Sequence, residues 1–130
     1  MKGKENVNLD KYSGKEFLPV QQPVPELVQD YKAIEETKGK RLAYFVIVDA
    51  DGENYGFNYA HLTRWNFSPP SLMSLMISGD IITLEGQNLG QIQRLLIEGK
   101  IRTLRVFNGR DKKPDRGQPI IEKLTIEGLI

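Results

Sequence analysis

The sequence predicts an α+β fold: a mostly antiparallel sheet of about six strands in hairpins, with one short helix over residues 89–98 packed on it and an N-terminal helix over 25–37. Three observations predict it. From residue 42 onward, apolar residues alternate or run in short β-branched and aromatic blocks, the pattern of pleated strands. Turn signals containing glycine separate these blocks at Asp49-Ala-Asp-Gly52 and Ser78-Gly-Asp80, at hairpin spacing. Only two segments carry a helical period, and they do not interleave with the strands as βαβ units.

Taken in order, residues 1–22 are polar with scattered apolar positions and no period. They are expected as an N-terminal tail, partly disordered, ahead of a single α+β domain over 23–130. Pro25 suits a first helical position, where its missing N–H has no partner to lose. Leu27, Tyr31 and Ile34 follow at spacings of four and three, and Gly39 is a plausible stop. The block Leu42–Val48 is almost continuously apolar and reads as a strand covered on both faces. Tyr55, Phe57 and Tyr59 alternate with small or polar residues, so their rings share one side of a paired strand. Pro69-Pro70 ends that strand, because proline cannot donate to a ladder. Leu72–Ile77 and Ile81–Leu84 flank Ser78-Gly79-Asp80 as a second hairpin.

Asn88 and Gln91 have the spacing of a capping box, and Leu89, Ile92, Leu95 and Leu96 form one apolar helix face that Gly99 terminates. Ile101–Phe107 and Ile120–Ile126 are the last strands. Between them Asn108–Gln118 (NGRDKKPDRGQ) has no apolar side chain and reads as an exposed, mobile loop.

Composition narrows the function. The chain has 130 residues, 39% apolar and 27% charged, with a formal net charge of +1. That near-neutrality argues against a whole-molecule attraction to nucleic acid. There is no cysteine, which removes disulfides, thiolate zinc sites and thiol nucleophiles. The N-terminal residues lack an apolar signal core, and no apolar run approaches the roughly 20 residues of a membrane span, so a cytoplasmic location without membrane association is expected.

The stretch FNYAHLTRWNFSPP, residues 57–70, holds the only histidine and the only tryptophan. His61 has the intrinsic pKa of a general base, yet no nucleophile elbow, paired histidine, P-loop or other partner motif accompanies it. No catalytic residue, metal or cofactor is expected, and the chain leans away from being an enzyme. Asp49-Ala-Asp-Gly-Glu-Asn54 resembles part of a calcium loop, but position twelve is Ala60 and the flanks are strands, so it reads as a hairpin turn.

The stretch divides in two. Tyr55 to Tyr59 is expected to be core. His61, Arg64, Trp65 and Phe67, next to the double proline, form the candidate partner-contact surface. This gives a non-enzymatic protein-binding or homo-oligomeric assembly module as the leading function. A nucleic-acid-binding domain is the first alternative, with Arg94, Lys100, Arg102 and Arg105 as contacts beside Arg64 and Trp65. From Arg94 onward there are nine lysines and arginines against five acids, a local excess of four. A small-molecule pocket or weak enzyme around His61 and Tyr59 is the second alternative.

Overall fold

A computed structural model describes residues 29–128. The expected tail over 1–22, and residues 25–28 of the expected first helix, lie outside the described residues. The elements are β1 (Ile34–Glu36), β2 (Tyr44–Val48), β3 (Asn54–Asn58), a single 3₁₀ turn (Tyr59–His61), β4 (Leu62–Ser68), β5 (Leu72–Ile77), β6 (Asp80–Gln87), α1 (Gly90–Glu98), β7 (Ile101–Arg105) and β8 (Ile120–Gly128). They form two four-stranded sheets, ordered β1-β7-β2-β3 and β4-β5-β6-β8. The broad α+β expectation holds, but the described residues contain eight strands in two sheets, not about six in one.

Both anticipated hairpins are present. β2 and β3 pair antiparallel, with Phe45 opposite Phe57 and Ile47 opposite Tyr55. The turn closes through Gly52 N–H donating to the Asp49 carbonyl at 2.9 Å, with Gly52 at φ 91°. β5 and β6 are joined by Ser78 and Gly79 at φ 52° and 85°, the positive pair that matches strand twist in a two-residue hairpin.

The region expected as the N-terminal helix is, where described, extended. Ile34–Glu36 pairs with β7, Ile34 opposite Leu104. The spacing of Tyr31 and Ile34 fits a helix equally well, but burial follows the sheet: Tyr31, Ala33 and Ile34 are all buried. Tyr31 and Ala33 are two residues apart, a spacing that a single helical stripe would not bury together.

A second correction concerns residues 62–68. The double proline is expected to end the strand bearing Tyr55, Phe57 and Tyr59, but that strand stops at Asn58 and residues 62–68 form a separate seven-residue strand, β4, paired antiparallel with β5. Pro69 and Pro70, joined by a cis bond, lie in the turn between these strands, where Ser71 N–H donates to the Ser68 carbonyl at 3.2 Å. Two prolines can occupy a turn because neither has a donor to leave unpaired.

The third correction is the pairing of β7, which lies between β1 and β2 and runs parallel to β2, with Ile47 beside Leu104. Its register against β1 shifts between Glu35 and Glu36, leaving Arg102 as an extra residue. This bulge explains a spacing a regular strand cannot give. Ile101 and Leu104, three apart, are both fully buried, while Arg102 and Arg105 are both exposed.

Helix α1 meets its expectation on the buried side: Leu89, Ile92, Leu95 and Leu96 are at most 1% exposed. Gly99 ends it in the left-handed region at φ 66°, its N–H bonded to the carbonyls of Leu95 and Leu96. The capping box does not form. Leu89 is the N-cap residue without a side-chain bond, and Asn88, at φ 57°, donates its amide to the Gln118 carbonyl at 3.2 Å.

One buried cluster takes residues from both sheets and from α1, including Phe45, Ile47, Leu75, Ile82, Leu95 and Leu104. At the seam between sheets, Phe107 N–H donates to the Ile121 carbonyl at 2.7 Å, and Val106 and Ile121 form a parallel bridge. β8 can lie this close to β6 because position 86 is glycine: a Cβ there would stand 1.9 Å from the Ile120 carbonyl oxygen.

The 108–118 segment is largely exposed, as expected, but it is pinned at Asn108, at Lys112 and, through the Asn88 amide, at Gln118. Asn108 Oδ1 accepts from the N–H groups of Arg110 and Asp111, and Lys112 exchanges backbone bonds of 2.8 Å with Gln29 and Tyr31.

Two outcomes follow from this packing. Leu95→Ala and Leu96→Ala each leave a cavity and cost about 2–5 kcal/mol in urea unfolding, because the α1 face has no solvent-side slack. Limited trypsin digestion cuts the 108–118 segment after Arg116, in the stretch between the anchored Lys112 and Gln118, before it cuts after Arg110 or Lys112; mass spectrometry of the first fragments reads the order.

Candidate functional site

β4 is an end strand of its sheet, and among the described residues it pairs with β5 alone. Arg64 and Asn66 face outward with their partners Met76 and Ser74. Trp65 and Phe67 face inward, opposite Leu75 and Met73. Leu75 and Met73 are completely buried, yet Trp65 keeps 37% of its surface exposed. The inner face therefore runs out of cover at β4. Phe67 is better protected: it packs on the core cluster, its ring 3.8 Å from where a Cβ at Gly90 would stand. Beside β4, Arg64, Trp65, Asn66, Ser74, Met76 and Ile81 line a groove of about 310 Å³.

His61 is exposed at the end of the 3₁₀ turn, and its carbonyl accepts from Ser78 N–H at 3.3 Å. Among the described residues no side chain is bonded to its imidazole, and no group of three potential metal ligands converges anywhere. Tyr59, its neighbour in the turn, belongs to the core. Its ring packs 4.8 Å from Phe45, and its hydroxyl both donates to the Ile101 carbonyl at 2.8 Å and accepts from the Ile101 N–H at 2.9 Å.

The four basic candidates do not converge with Trp65. Arg94 pairs with Glu98 on exposed α1 at 3.7 Å, and the Lys100 ammonium donates to the Gly39 carbonyl. Arg102 and Arg105 lie on β7 in the other sheet, Arg105 4.0 Å from Glu35. Their surface companion, Tyr44, was not singled out from the sequence. It lies on the outer face of β2 and is 65% exposed. The reading of β2 as covered on both faces is corrected accordingly: Phe45 and Ile47 are buried, while Val46 and Val48 are only partly covered. Alternation was present, but every position of YFVIV is apolar or aromatic, so hydropathy could not display it.

A second concavity, about 440 Å³, opens where β2 and β7 end. Its lining includes Asp30, Asp49, Asp51, Asp111, Arg105 and Arg110. Both signs of charge are present, and Asp49 and Asp51 are already accepting from Ala50 and Glu53 N–H groups.

No protein-family model, curated protein or solved structure matches the chain.

Two buried phenols set the alkaline behaviour of this framework. Burial pushes the hydroxyls of Tyr31 and Tyr59 up to about 12, against the opposing influence of the hydrogen bonds to Ile121 and Ile101. Both folded values exceed the roughly 10 of an unfolded tyrosine, so the folded state holds more protons in that interval. The associated stability is complete below about pH 10 and is lost as pH rises through about 12. Urea midpoints measured in steps across this window fall, and the Tyr31→Phe/Tyr59→Phe double variant, though less stable at neutral pH, shows a shallower fall.

Proposed function

We propose that this chain is a non-enzymatic protein-binding module that recruits an extended segment by strand addition along β4. The segment comes from a partner protein or from β4 of a second copy, giving homo-oligomeric assembly. One observation carries the reading: an end strand of seven residues whose central, inward-facing Trp65 stays 37% exposed opposite a fully buried Leu75. A free strand edge offers a row of N–H and C=O groups for a further ladder. A half-covered tryptophan beside it gains the remainder of its burial from whatever docks there.

The strand has some protection of its own. Its register shifts between Leu62 and Arg64, and Arg64 adds a charge, two devices that discourage indiscriminate pairing. Arg64 and Asn66 then supply polar selectivity on one face of the added strand, while Trp65 supplies apolar area on the other. His61, at the entry to β4, contributes to the rim of the same surface.

Two substitutions separate contact from core. Trp65→Ala weakens association by about 2 kcal/mol or more while costing the fold less than that. Tyr59→Ala does the reverse, lowering stability by about 3–5 kcal/mol because it opens a cavity and strands the Ile101 backbone groups. Melting curves and light scattering on the two variants read both quantities. If Trp65→Ala melts as far below the parent as Tyr59→Ala, with the mass in solution unchanged, the whole stretch is core and the reading fails.

A further inference from the structure

The outer face of the β1-β7-β2-β3 sheet has an arrangement that strand addition at β4 does not use. By register, Glu35, Thr103 and Val46 lie side by side across it, and Arg105 stands beside Val48. Tyr44 is two residues before Val46 on β2 and so shares this outer face. The bulge at Arg102 brings both arginines to this face although they are three residues apart. At the strand rise they are separated by about 10 Å along β7. Among the strand residues facing this side, the charges are those two guanidiniums and the single carboxylate of Glu35, the latter 4.0 Å from Arg105.

The face is flat at its centre. Gly56 lies opposite Val46, and a Cβ built on it would meet nothing within 4 Å. A protein partner finds its strongest anchors in pockets. A nucleobase needs only the open face of a ring, with cations nearby for its phosphates. Tyr44, 65% exposed, offers such a ring, and the bases of a single strand, unlike those of a duplex, are free to reach it. We propose that this sheet face binds single-stranded nucleic acid, with a base stacked on Tyr44 and the backbone phosphates met by Arg102 and Arg105.

Fluorescence anisotropy of labelled single-stranded DNA and RNA oligonucleotides with the full chain tests this. Binding is expected at low salt, weakening as salt rises because displaced counterions drive the phosphate contacts. Tyr44→Ala reduces affinity about tenfold, while Tyr44→Phe, which keeps the ring, retains it. Arg102→Ala lowers the salt slope by about one. Trp65→Ala, on the other sheet, leaves the affinity unchanged, so failure here and failure of the β4 reading are told apart. Four results would overturn the proposal: no binding at low salt, binding indifferent to Tyr44→Ala, equal affinity for duplex, or equal competition by poly-glutamate, which would mark a surface for acidic peptides. Circular dichroism of Tyr44→Ala confirms that the exposed substitution leaves the fold intact.

Discussion

Two phenol hydroxyls hold β7 at its ends, and the joining of the two sheets depends on them. Tyr59 satisfies both backbone groups of Ile101, where β7 begins. Tyr31 donates to the Arg105 carbonyl at 2.5 Å, where β7 ends, and accepts from the Ile121 N–H of β8 at 3.0 Å. A seam between two sheets leaves backbone groups that no ladder can reach, and a buried group left unpaired costs about 1–3 kcal/mol. Each tyrosine supplies a donor and an acceptor at such a point while its ring fills core volume: Tyr31 stands edge-on to Phe107 at 5.2 Å, and Tyr59 packs on Phe45. The same residues thus provide packing and polar closure, and their raised pKa values are the electrostatic trace of that burial.

Local signals in the sequence were read correctly where the turn chemistry was unambiguous. Asp49–Gly52 and Ser78-Gly79 each place glycine at a positive φ, and each closes the hairpin expected of it. The buried face of α1 was equally legible, since Leu89, Ile92, Leu95 and Leu96 repeat at helical spacing with polar residues between. What local pattern could not show was long-range pairing. Ile34–Glu36 is a strand because β7 lies beside it, and β7 lies there only after α1 has carried the chain back across the molecule. Asn88, with the spacing of a capping box, instead bonds thirty residues away to Gln118, a choice no neighbouring residue announces.

The candidate surface was legible in part for the same reason. Trp65 stands apart from Tyr59 in the sequence as a candidate contact, but the strand that carries it is revealed only by its pairing with β5. Phe67, grouped with the contact residues, is largely committed to the core. The face bearing Tyr44 was hidden twice: by an apolar run with no hydropathy alternation, and by a bulge that put Arg102 and Arg105 on one side of a strand where simple alternation separates them. Irregularities of this kind re-aim side chains, and they leave no mark in composition.

The central place of β7 also governs the order of events as the chain leaves the ribosome. The β4-β5-β6 meander pairs only sequence neighbours and can close as soon as Gln87 has emerged. The other sheet cannot: until Ile101–Arg105 is made, β1 has no partner and β2 is paired on one side only. Closing it joins residues separated by more than half the described chain, the kind of contact that slows folding because loop entropy is lost before the contact is gained. The β4-β5-β6 meander is therefore local, whereas β1 and β2 wait for β7 and the outer side of β6 waits for β8, and a chain interrupted before Ile101 would present β2, with Phe45 and Ile47, as an unfinished edge for chaperones to cover.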